Sequence, residues 1–147
     1  MKPFIPTTVY GVLNFLLALT MIASPWLFDL VNISSAALFL PIYIGWLQLI
    51  MAIFAKNEIG FIKQFPMTIH SVLDVAMGFI LMVSPWLYGF AFDSVRAQGI
   101  VKGVFWPELL MGGLLFCMGL FNTKSPFSTT VHHNHLAGLI ASKESNY

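Results

Sequence analysis

The sequence predicts an all-α polytopic membrane protein: four transmembrane helices built from two tandem, parallel helical-hairpin repeats. Three observations predict it. Of 147 residues, 58% are hydrophobic and only 9% are charged, and the mean hydropathy is +0.82. A soluble domain carries about 25% charge, so this chain lacks the charges to coat a water-facing surface. Four apolar stretches approach the ~20 residues a helix needs to cross a hydrocarbon core. Finally, Ser24-Pro25-Trp26-Leu27 returns as Ser84-Pro85-Trp86-Leu87, each time near the end of an apolar run.

The spans cover residues 8–28, 36–55, 67–88 and 103–121. Their continuous apolarity points to helices, because barrel strands alternate and are about half as long. The first span resembles a signal sequence after Lys2, but a small-x-small cleavage pattern is missing before Pro25, and the same kind of segment recurs internally. It is therefore read as retained. Asn32, Ser34 and Ser35 bring N-cap chemistry to the second span. Pro66 precedes the third, and Pro107 lies early in the fourth, where a missing N–H is tolerated. Residues 1–124 thus form the four-helix domain, with repeat one at 8–56 and repeat two at 67–124. Residues 125–147 form a polar C-terminal tail.

Orientation follows from the short loops. Lys2, Lys56, Lys63, Lys124 and Lys143 fall on one side, and Arg96 and Lys102 on the other. Positive charge collects in the cytoplasm, so both termini are expected there, with the protein multi-pass in the cell (inner) membrane. The net charge of +1 and scattered basic residues give no reason to invoke nucleic acid. The expected partners are membrane lipids, with a homo-oligomer or a second membrane protein also compatible.

Tyr10–Leu30 aligns with His70–Phe90 at six identical positions of 21, four of them consecutive. Downstream, Gly45, Met51 and Phe54 align with Gly112, Met118 and Phe121. Each copy holds two spans, so both enter the membrane in one direction, the parallel-repeat case. These two Ser-Pro-Trp motifs, each in the first helix of a hairpin, resemble the SPW repeat family of small prokaryotic membrane proteins. The resemblance implies a four-helix membrane protein and transfers no catalytic residues.

Within the motif, proline leaves the carbonyl four residues earlier without its helical partner, here Met21 and Leu81. Ser24 and Ser84 stand beside Pro25 and Pro85, where a hydroxyl can bond a freed backbone group. Each motif is expected to kink its helix, with a further turn beyond. Trp26, Phe28, Trp86, Tyr88 and Trp106 then form an aromatic belt at the outer interface. The sharper alternative is a ligand pocket between Trp26 and Trp86.

Asp74 is the most informative polar residue, because a charge in a span costs about 2.5–3.5 kcal/mol on insertion scales. Its repeat mate is Asn14; His70, one turn earlier on the same face, is matched by Tyr10. Tyr10, Asn14, His70 and Asp74 therefore make a candidate intramembrane polar site. Two roles fit: polar glue between the first and third helices, or a proton relay through His70 and Asp74. Glu108 suits the first turn of the fourth helix, complementing its macrodipole. Gln48 is expected to hydrogen-bond within the bundle, and Gly112, Gly113, Gly119 and Ala52 to allow close helix packing.

Cys117, the only cysteine, excludes an intrachain disulfide and reads as a small buried apolar side chain. His132, His133 and His135 in the tail are a weak metal candidate without the scaffold a zinc site needs. No metal site, cofactor or catalytic residue is assigned. The leading expectation is a non-enzymatic structural or accessory membrane protein, a subunit or small homo-oligomer. The alternatives are a small proton-coupled transporter or channel using Asp74 and His70, and a membrane enzyme or lipid- or quinone-binding protein.

Overall fold

The computed structural model describes residues 4–56, 59–92 and 105–127. They form α1 (Thr7–Leu27), α2 (Ser35–Phe54), α3 (Met67–Leu87) and α4 (Trp106–Phe121), with a short 3-10 turn at Phe90–Phe92. In hydrocarbon a backbone must satisfy its own polar groups, and the helix does so within one segment. α1, α2 and α3 are long and apolar enough to span a membrane; α4 is a shorter apolar helix of 16 residues. The expected fourth span began at residue 103, and residues 103–104 lie outside the described residues.

Both hairpins open alike. Pro6 and Pro66 occupy the N-cap positions of α1 and α3 in extended backbone, and each carbonyl accepts the first helical bond, from Tyr10 and His70 respectively. Ser34 caps α2, its hydroxyl accepting from the Ala37 amide at 3.1 Å. Of the three residues expected to supply this cap, the middle one does.

The helices continue through the motif prolines and end two residues later, at Leu27 and Leu87. The Ser24 hydroxyl donates to the Met21 carbonyl and the Ser84 hydroxyl to the Leu81 carbonyl, both at 2.8 Å. These are the carbonyls the prolines strip of their partners. Beyond each helix the backbone turns through a left-handed residue, Asp29 in one copy and Gly89 in the other. Glycine adopts that conformation freely, and aspartate is among the few other residues that tolerate it. The chain then turns inward, burying Leu30 and Phe90 around Ala37.

The strongest sign of internal symmetry lies at the opposite end. Ile5 bridges to Asn122, with the Ile5 amide donating to the Phe121 carbonyl and the Thr123 amide to the Ile5 carbonyl. Phe65 bridges to Ala55 in the same pattern: its amide donates to the Phe54 carbonyl, and the Lys56 amide donates to the Phe65 carbonyl. Each entry segment thus clasps the exit of the other hairpin, as a pseudo-two-fold axis along the bundle requires.

Packing follows the same symmetry. α1 lies against α2 and α3 against α4, while α2–α3 and α1–α4 touch more sparingly. Gly45 permits close approach to the Ala18 backbone on α1, and its repeat mate Gly112 likewise meets Gly78, the repeat mate of Ala18, on α3. Gly113 is different: an added Cβ would find only the Met82 sulfur, at 3.7 Å. The core between these contacts is rich in methionine, including Met21, Met51, Met77, Met111 and Met118. Such adaptable side chains fill irregular interhelical space.

Cys117, expected to be buried, is not. Cys117 is exposed on the outer surface, on the same stripe of α4 as Leu110 and Leu114. It lies three residues from Leu114 and seven from Leu110, which on a helix is one face. An apolar segment does not reveal which of its faces is turned inward when lipid covers the other.

Candidate functional site

The polar residues of α1 and α3 meet inside the bundle, in the first half of each helix. Tyr10 and Asn14 are one turn apart on α1, and His70 and Asp74 hold the same spacing on α3. Helical periodicity therefore puts each pair on one face, and both faces point inward. Gln48 enters from α2. All five side chains are buried, none more than 1% exposed.

The Tyr10 hydroxyl donates to Asp74 Oδ2 and lies 2.6 Å from His70 Nδ1. Gln48 Nε2 donates to Asp74 Oδ1 at 2.8 Å. His70 Nδ1 is 3.2 Å from Asp74 Oδ1 and 3.3 Å from Oδ2. On the far side of the imidazole, Asn14 Nδ2 reaches Nε2 at 3.3 Å. An amide donor facing Nε2 makes that nitrogen the acceptor, so Nδ1 carries the ring hydrogen. The phenol oxygen then accepts from Nδ1 while its own hydrogen goes to the carboxylate. The result is a directed chain from imidazole through phenol to carboxylate.

Repeat symmetry explains the arrangement and its one asymmetry. Exchanging repeat mates turns the Asn14–His70 contact into the Asp74–Tyr10 contact, and the Tyr10–His70 pair maps onto itself. Gln48 breaks the pattern. Its α4 counterpart by the repeat alignment is Leu115, which has no hydrogen to donate. Asp74 therefore receives a second donor, whereas Asn14 Oδ1 has no hydrogen-bond partner among the described residues.

Tyr10, Asn14, His70 and Asp74, the four residues that the sequence sets together, meet in one network. The bundle partner of Gln48 is Asp74. An adjoining polar pair is not evident from the sequence: the Ser71 hydroxyl donates to the Met67 carbonyl at 2.9 Å, and buried Asn122 approaches the Ser71 hydroxyl at 3.4 Å. Ser71 follows His70 directly, so its place in an apolar run was the available signal.

The other candidates lie elsewhere. Ser24, Pro25, Ser84 and Pro85 are buried where α1 and α3 end. Trp26 and Trp86 are exposed there, and Trp86 packs against Phe105 with ring centroids 5.4 Å apart. Phe28, Tyr88 and Trp106 are exposed too. Glu108 sits in the first turn of α4 as expected; its side chain is fully buried, and neither carboxylate oxygen has a hydrogen-bond partner among the described residues. His132, His133 and His135 lie outside the described residues. Among the described residues no three His, Cys, Asp or Glu side chains gather as metal ligands.

No curated protein and no solved structure matches the chain. The SPW repeat domain matches residues 8–122, a stretch containing both hairpins, both Ser-Pro-Trp motifs and all five residues of the buried cluster. The chain belongs to the SPW repeat domain family of helical membrane proteins.

Proposed function

We propose that this protein is a non-enzymatic integral membrane protein of structural or accessory type, a subunit or small homo-oligomer, whose buried cluster ties its two hairpins together. One observation carries this reading: Tyr10, Asn14, Gln48, His70 and Asp74 hydrogen-bond to one another across three helices, with only Asn14 Oδ1 and Gln48 Oε1 of their polar side-chain atoms left without a partner among the described residues. In hydrocarbon, packing and interhelical hydrogen bonds drive helix association. The cluster spans the sparsest contacts of the bundle, those between hairpins. The end that carries exposed Lys56, Lys63 and Lys124 is assigned to the cytoplasm of an inner membrane on the positive-inside rule. Native purification with mass spectrometry is expected to recover a homo-oligomer or a stoichiometric membrane-protein partner. A clean monomer would overturn the reading.

A second reading is supported by the hydrogen-bonded chain itself. His70 Nδ1, the Tyr10 hydroxyl and Asp74 form the kind of ionisable array that marks proton paths in membranes. In that case the reconstituted protein conducts protons down a pH gradient in liposomes, and Asp74→Asn abolishes the conductance. Flux unchanged by Asp74→Asn would remove Asp74 and the relay from the account.

A further inference from the structure

We propose that the outward face of α2, centred on Tyr43 and Trp46, is the surface on which a second copy of this chain docks. The inference deepens the homo-oligomer reading above and rests on it. Phe39, Tyr43, Trp46 and Ile50 all face outward, at the i, i+4, i+7, i+11 spacing of one helix stripe. Tyr43 is 68% exposed and Trp46 53%. Phe39 stacks on Tyr43 with ring centroids 6.0 Å apart, so the stripe is partly ordered before any partner arrives.

Depth makes these two residues unusual. Tyrosine and tryptophan belong at the membrane interface, where the ring is apolar and the polar tip is wet. Tyr43 lies eight residues from the start of α2 and Trp46 eight from its end, so each is about 12 Å from the nearer interface. Helical side chains lean toward the N-terminus, which carries the indole of Trp46 deeper still and the phenol of Tyr43 back toward its own nearer interface. Neither the phenol nor the indole N–H has a hydrogen-bond partner among the described residues, and lipid tails offer none.

A second copy supplies the indole N–H with the acceptor it lacks. The indole N–H only donates, and the phenol oxygen accepts. Two copies inserted in the same direction and related by a two-fold axis along the membrane normal bring two α2 stripes face to face. Tyr43 of one copy then stands about 4.5 Å in depth from Trp46 of the other, a step that two aromatic side chains bridge, and the contact forms twice. The corresponding α4 positions are Leu110 and Gly113, which have no side-chain donor or acceptor. The second hairpin therefore lacks the matching surface, and association closes as a dimer.

The test uses the full chain in phosphatidylethanolamine/phosphatidylglycerol liposomes, with Cys117→Ser as background. Ile50→Cys is expected to yield a covalent dimer under a membrane-permeant oxidant, while Leu110→Cys is not. Energy transfer between labelled copies is expected to show the dimer dissociation constant rising about ten-fold in Tyr43→Phe/Trp46→Phe, as loss of two reciprocal membrane hydrogen bonds implies. Cross-linking at Leu110→Cys alone would overturn the α2 face and leave the homo-oligomer standing. A monomer by both measurements would overturn both. Cross-linking at Ile50→Cys with an unchanged constant in the double variant would overturn the tyrosine–tryptophan pairing.

Discussion

Asp74→Ala is expected to lower the unfolding free energy by about 1–3 kcal/mol, the cost of leaving buried hydrogen-bonding groups without partners. The Tyr10 hydroxyl and Gln48 amide both donate to Asp74, and His70 Nδ1 lies beside it. Alanine removes every acceptor at once, and a lipid-embedded core has no water to replace it. Asp74→Asn makes a discriminating comparison. It keeps an acceptor oxygen and copies the residue that repeat one places at this position, Asn14. Its expected loss is nearer 0.6 kcal/mol, about the average for one interhelical hydrogen bond in a membrane. Unfolding in mixed detergent–SDS micelles, followed by circular dichroism, measures both. Equal losses for alanine and asparagine would show that a single acceptor oxygen at this position does not hold the hairpins together.

Gly78→Ala is expected to be at least as damaging, although it adds only one methyl group. A Cβ at Gly78 would sit 2.6 Å from the Phe116 amide nitrogen and 2.7 Å from the Gly112 carbonyl oxygen. Both obstacles are backbone, so α3 and α4 must part. Overpacking of this kind costs about 1–3 kcal/mol, occasionally more. The opposite result is expected one residue beyond Gly112. Gly113 has room for a Cβ, so Gly113→Ala should gain about 0.5–1 kcal/mol from reduced backbone entropy. Thermal melts of the two purified variants decide the matter; a harmless Gly78→Ala would mean that α3 and α4 do not approach this closely.

The two glycines illustrate what a linear reading reaches. Gly112 and Gly113 are neighbours in an apolar run, and both looked suited to tight packing. Only the crossing of α4 over α3 makes one indispensable and turns the other outward. Cys117 failed for the same reason. In a soluble protein the polar face of a helix marks the outside, but here both faces are apolar and that signal is erased. The buried polar site was far more legible. Tyr10, Asn14, His70 and Asp74 stand out because polar groups in hydrocarbon are expensive, and the duplication puts them at equal depth. Gln48 was visible as a polar residue, yet its bond to Asp74 joins helices 26 positions apart in sequence.

The amino-acid sequence by itself determined that this chain is a four-helix membrane protein made of two parallel hairpins. A bilayer admits few backbone solutions, and a repeated Ser-Pro-Trp motif imposes the same register on both copies. Tertiary structure alone decided which polar side chains meet, which glycines are in contact and which apolar faces remain open to lipid. Those outcomes depend on the rotation of each helix about its axis, and that rotation is set by packing against neighbours far away in sequence.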